Sequence, residues 1–385
     1  MSRRKERSKT LFSGGIRKSQ SLCVLPAGAS IGGITIRAAP LEASETALDE
    51  GRGHSRKLRA LSIASESSDA ASSVSSDSSL HYITKTMKNN DVFEGYVHKT
   101  TNKREGFGLY IFSNGDKYQG FWKDGLFHDN GWFKWSNGDY YVGQFHMGKM
   151  TGEGIKNNTE EGSSIKGCFL NAKAHGFCTK QHSNSDSYEG YYEDDKRQGY
   201  GEYVWTAACQ RYCGAWKCDE MHGVGMKVST LEVASEADRM RLSLLSGHDD
   251  TLIYRGDFRR NSRHGQGLAV GWDGSRYAGE MAHDLRHGWG SYTSDDGLHS
   301  YDGEFSRGHR SGFGTLHFES ALEEAPPLHQ WSIASQRVEK LLALYGGFYS
   351  GDFAGGQVHG RGVLRLNNGH TLVGEFSRGV LVSQL

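Results

Sequence analysis

From Asp91 to Phe376 the chain alternates apolar or glycine positions with polar ones over short runs, and the runs recur. In YAGEM, Tyr277, Gly279 and Met281 fall on one face of an extended chain, because strand side chains alternate. In the return, Gly288, Gly290 and Tyr292 do the same, and the polar stretch AHDLRH lies between. The pattern predicts two short antiparallel strands per unit. Asn-Gly or Asp-Gly turns lead on to the next unit at Asn114-Gly115, Asn137-Gly138, Asp273-Gly274, Asp296-Gly297 and Asn368-Gly369. A lone hairpin is marginal in water, so the units must stack into one continuous sheet. No proline interrupts Asp91 to Ser320, as ladders that use every N–H require.

The repeat is marked by a lead residue followed two positions on by glycine. The aromatic leads are Phe93, Tyr118, Tyr141, Tyr188, Tyr212, Tyr254, Tyr277, Tyr301 and Tyr349; Ile165 and Leu372 lead two further units. A second mark is G-x-G, often preceded by histidine, as at His222, His264, His287 and His359. The glycines are expected to let the rings lie flat on the facing backbone. Departures are the two aliphatic leads, longer loops in the first two units, and a second glycine lost at Phe133 and Cys178.

Two insertions break the period, near 230–250 and 319–347. Ser235 to Leu245 reads as a short helix opened by S-x-x-D. In the second, Trp331, Ala334, Val338, Leu341 and Tyr345 share a helical face that is expected to pack back on the sheet. Residues 1–85 show no sustained hydrophobic period; the stretch is basic, then serine-rich, and is expected to be a disordered tail.

The unit YxGxF…HGxGxY…NGD, carried in phase over residues 91–385 in about 10–11 copies, resembles the MORN repeat (membrane occupation and recognition nexus). The expected fold is all-β: an elongated, twisted antiparallel sheet of stacked hairpins with two short helical insertions. The resemblance implies a non-enzymatic scaffold or adaptor in cytoskeletal, ciliary or membrane-associated assemblies, often as a homo-oligomer. It also raises contact with phospholipids, as phosphoinositides, by similarity to the MORN regions of phosphatidylinositol phosphate kinases.

Composition narrows the chemistry. The 52 glycines and 4 prolines, with 11 % aromatic residues, suit short strands and tight turns. Lys+Arg and Asp+Glu are equal at 45 each, giving no global pull toward nucleic acid. The scattered cysteines and lack of a long apolar run make a cytoplasmic protein the expectation. HGQGLAVG, His264 to Gly271, contains a loose glycine fingerprint, but no helix pattern follows it, so no dinucleotide site and no cofactor is expected. Cys209, Cys213, Cys218 and His222 match no zinc spacing and read as chance clustering. The recurrent histidines suggest a turn role, such as bonding a backbone carbonyl, rather than catalysis. Lys196, Arg197, Arg259, Arg260, Arg263, Arg286, Arg307 and Arg310 fall near the same turns, forming a candidate basic edge for acidic partners or anionic headgroups.

Overall fold

The computed structural model describes residues 30–31, 34–35, 79–229, 251–319 and 336–385. The chain divides into two units, Met1–Glu50 and Gly51–Leu385. In the first, Ser30–Ile31 pairs antiparallel with Ile34–Thr35. Most of the expected tail and the helix expected at Ser235–Leu245 lie outside the described residues.

In the second unit the described residues form one antiparallel sheet in which each strand pairs with its neighbours in sequence. The sheet begins at Leu80–Thr86, before the expected start at Asp91, and ends at Val380–Gln384. These two strands pair inward with Val92–His98 and Thr371–Ser377 and not with each other, so the sheet is open. Among the described residues one strand ends at Ser229 and the next begins at Thr251; another ends at Phe318 and the next begins at Gly347.

A single file of directly paired glycines crosses the sheet from Gly95 to Gly374 and is broken only at Cys178. Each unit contributes the glycine after its lead and the second glycine of G-x-G, as in Gly279 paired with Gly290. The first glycine of G-x-G has a different task. Gly288 has φ 53°, in the left-handed region, where the return strand bulges and the register shifts. This corrects the reading of the second unit. Its file glycine is kept as Gly131, and the bulge position is taken by Asp129 at φ 50°. Aspartate tolerates that conformation better than most residues.

The polar stretch AHDLRH is also tighter than its composition suggests. Only His283-Asp284 form the turn, both left-handed at φ 51° and 66°, and Leu285 already belongs to the return strand. A two-residue turn of this hand matches strand twist. The same turn occurs at Asp124-Gly125, so the second unit's loop is not long; the first unit's loop, Lys99–Lys103, is.

Both ends of the hairpins are laced from unit to unit. Where the second turn residue is Asp or Asn, its side chain accepts an N–H from the preceding unit: Ala174 to Asp195, Arg197 to Asp219, Met221 to Asn261, Arg263 to Asp284. At the other end Asp91, Asp116, Asp139 and Asp186 accept from Ser113, Ser136, Thr159 and Thr206. Among the described residues there is one helix, α1 (Val338–Tyr345), within the second insertion, and it buries Val338, Leu341, Leu342 and Tyr345 against the sheet. Trp331 and Ala334 lie outside the described residues.

Candidate functional site

The two faces of the sheet differ. On the ring face each lead tyrosine lies over the glycine file: a Cβ added to Gly201 would meet Tyr188 Cζ at 2.5 Å. Its hydroxyl donates to the carbonyl three residues on, which lies at the register shift of the hairpin. Tyr118 reaches Phe121 at 2.7 Å, Tyr212 reaches Ala215 at 2.8 Å and Tyr301 reaches Glu304 at 2.9 Å. A buried carbonyl left unpaired would be costly, so the hydroxyl is structural. The ring is then held edge-on by two others. Tyr212 meets Trp216 of its own unit at 5.2 Å and Phe258 of the next at 5.1 Å, both near perpendicular.

Phe93, Tyr118, Tyr141, Tyr188, Tyr212, Tyr254, Tyr277, Tyr301 and Tyr349 are all buried, at 0–4 % exposure. They hold the array together and are not displayed to a partner. Where Ile165 leads, no ring covers the file, and Cys178 with its larger side chain takes the glycine's place. The two departures noted in the sequence therefore compensate each other.

Nine residues after each lead tyrosine stands a side chain that covers the rings. It is apolar at Phe127, Met150, Met221 and Val358, and arginine at Arg197, Arg263, Arg286 and Arg310. Arg197 lies 4.3 Å from the Trp216 ring centre and Arg310 lies 5.4 Å from Phe353. The eight basic residues therefore do not form one edge. Arg197, Arg263, Arg286 and Arg310 turn onto the ring face, while Lys196, Arg259, Arg260 and Arg307 are exposed near the turns. The exposed four share that rim with Asp194, Asp219 and Asp284. The missed signal was the two-residue turn, which pairs Met281 with Arg286 and so sets the arginine on the buried side.

The outer face is the exposed one. It carries the residue inside each G-x-G and the residue after each lead glycine. Phe177, Tyr191, Tyr200 and Val224 form an exposed run, with Phe177 and Tyr191 edge to face at 5.7 Å. Trp289 and Phe313 stand exposed further along, opposite Glu304 and Asp352. The acids here also close the bulge: Asp257 accepts from Gln266 N–H at 3.1 Å and Asp352 from Arg361 N–H at 3.0 Å.

Among the described residues no His, Cys, Asp and Glu side chains gather as a metal site. Cys209 and Cys218 sit in separate turns, while Cys213 and His222 lie on adjacent strands. The carbonyls of His264, His287 and His359 receive a second contact from the tyrosine hydroxyls at 3.3–3.4 Å.

Burial pushes the phenols of Tyr141, Tyr254, Tyr277 and Tyr301 up to about 12, and those of Tyr118, Tyr188, Tyr212 and Tyr349 further. In the unfolded chain they ionise near pH 10. A folded pKa above the unfolded one leaves stability intact below about pH 10 and removes it as pH rises toward 12. Alkaline unfolding is therefore expected to be steep, with phenolate absorbance appearing together with loss of the β-sheet circular dichroism signal. Phenolate appearing well before the sheet is lost would refute the buried-ring account.

A family model described as "MORN repeat" matches residues 102–117, 118–140, 141–156, 188–207, 212–230, 254–276, 277–299, 301–320 and 349–371. The chain belongs to the MORN-repeat family. Eight of these matches begin at a lead tyrosine; the units led by Phe93, Ile165 and Leu372 are not matched at their leads. Among curated proteins, alsin of Mus musculus and of Homo sapiens are each 31 % identical over 126 residues, covering 30 % of this chain and 8 % of alsin. The chain thus matches only a small part of those relatives' length. A catalytically inactive virginiamycin B lyase from Staphylococcus aureus aligns over 63 % of this chain and 94 % of its own at 6 % identity, with a TM-score of 0.13, too low to carry a likeness of fold.

Proposed function

We propose that this chain is a non-enzymatic MORN-repeat scaffold that holds partner proteins on its outer face, within a cytoskeletal, ciliary or membrane-associated assembly. The supporting observation is the division of labour between the faces. The lead aromatics are consumed in cohesion, yet the outer face still exposes Phe177, Tyr191 and Tyr200 on three successive strands, with Val224 two strands further on. Contiguous exposed rings of this kind mark interaction surfaces more often than chance scatter. Self-association is a related outcome, because among the described residues no strand pairs with the outer edge of Leu80–Thr86. Phosphoinositide binding draws less support, since half of the candidate basic residues face the rings and the others alternate with acids. Among the described residues no helix is long and apolar enough to cross a membrane.

The test replaces Phe177, Tyr191 and Tyr200 together with serine. Cross-linked partners of the full chain are expected to be lost while the melting temperature holds, because these side chains are exposed. Unchanged partner capture, or co-sedimentation with phosphoinositide vesicles at physiological salt as the only binding seen, would overturn the proposal.

A further inference from the structure

On the ring face beside α1 the described residues line a cavity of about 350 Å³. Tyr292, Tyr301, Phe305, Leu316 and Phe318 form its apolar walls; Arg286, Arg310 and Glu339 reach into it, and His299 and His309 complete the polar lining. This is near the lower end of small-ligand sites, about 300–1,000 Å³.

The charges here differ from those elsewhere in the array. Arg197 and Arg263 occupy the same repeat position, and each pairs with the left-handed aspartate of the next turn, Asp219 at 3.1 Å and Asp284 at 3.3 Å. After Arg286 and Arg310 that turn position is Gly308 and Gly356, which bring no carboxylate. Arg310 turns instead to Glu339 of the helix at 3.8 Å. Arg286 stacks near Tyr292 and Phe305 and has no carboxylate within ion-pair distance among the described residues. Burial holds the Arg310 pKa down, and the Arg286 charge adds to that.

Among the described Arg, Asp and Glu side chains of the lining, two guanidiniums against one carboxylate leave one positive charge in a ring-walled space, and the imidazoles of His299 and His309 add no negative charge to it. We propose that this cavity seats a single Asp or Glu side chain of a partner protein, bound by Arg286 and Arg310. The inference rests on the scaffold reading and adds a second contact point on the opposite face. A planar guanidinium offers paired N–H donors that match a carboxylate, and ring walls that shed water strengthen the bond. The single excess charge favours a carboxylate. A phosphate monoester, at about −1.5 to −2, would overfill it against Glu339.

The probe is benzoate, a carboxylate on a ring-sized body, titrated into the full chain and followed by the arginine Nε–H resonances. Benzamide and phenyl phosphate are run beside it. Benzoate is expected to shift Arg286 and Arg310, and benzamide is not. Arg286→Gln should weaken benzoate binding about tenfold or more, as loss of a charge-assisted bond requires. Arg286→Met, which keeps the stem over the rings, should do the same with an unchanged melting temperature. Glu339→Gln should strengthen binding, because it removes the competing carboxylate. Tighter binding of phenyl phosphate, equal binding of benzamide, or indifference to both Arg286 variants would each overturn the proposal. Benzoate binding does not depend on the outer-face rings, so failure of the scaffold reading would appear separately in the partner-capture experiment.

Discussion

Alanine at Gly201 is expected to destabilise the array by about 2–4 kcal/mol, read as a lower melting temperature and denaturation midpoint. The added Cβ would lie 2.2 Å from Tyr188 Oη and 2.5 Å from its Cζ. The ring cannot withdraw. Its edges meet Tyr192 at 5.2 Å and Trp216 at 5.4 Å, and its hydroxyl is tied to the Tyr191 carbonyl at 3.1 Å. The control is Gly297→Ala, where nothing lies within 4 Å and the cost is only that of a left-handed backbone at φ 72°, about 1 kcal/mol. The chain contains its own rescue. Ile165 and Cys178 show that a smaller lead accepts a larger residue in the file. In a Tyr188→Ile background, Gly201→Ala should therefore cost under about 1 kcal/mol, giving a strong favourable coupling in the double-mutant cycle. Simple additivity would mean that the clash is relieved elsewhere and that ring and file are not matched.

The same residues show what the sequence could and could not disclose. The period, the strand pairs and the ring-on-glycine contact follow from spacing alone, since Tyr277, Gly279 and Gly290 stand at fixed offsets and only a hairpin brings them together. The matching of Ile165 to Cys178 is visible in the sequence as two irregularities, but not as one compensation, because that needs the register that sets Gly167 opposite Cys178. The arginines were misplaced for a related reason. The polar hexapeptide AHDLRH reads as a loop, whereas the two left-handed residues His283 and Asp284 close the turn and put Arg286 opposite Met281. One residue of error in a turn reverses the face of everything after it. The bond from the bulge N–H to the acid after a lead glycine, as from Gln266 to Asp257, depends on a backbone irregularity that alternation does not encode.

Truncating Tyr212 to alanine is expected to cost about 3–5 kcal/mol, the range for removing a large buried ring. Tyr212→Phe should cost about 1–3 kcal/mol, because it keeps the ring and strands the Ala215 carbonyl. The difference between the two measures the ring's share. Where the damage spreads is as informative as its size. Rings from Phe93 to Phe169 form one buried cluster, and those from Tyr188 to Phe376 belong to another. Ile165 packs against both, at a unit whose lead is aliphatic rather than aromatic. In a repeat array stability is set by each unit and its immediate neighbours. Hydrogen exchange of Tyr212→Ala should therefore accelerate in the strands from Ser187 to Arg259 and leave Val92–His98 and Lys117–Lys123 as protected as before. Uniform acceleration across the whole sheet would mean that the Ile165 unit transmits as well as the tyrosine units do. The array would then unfold as one cooperative body rather than as two joined at a seam.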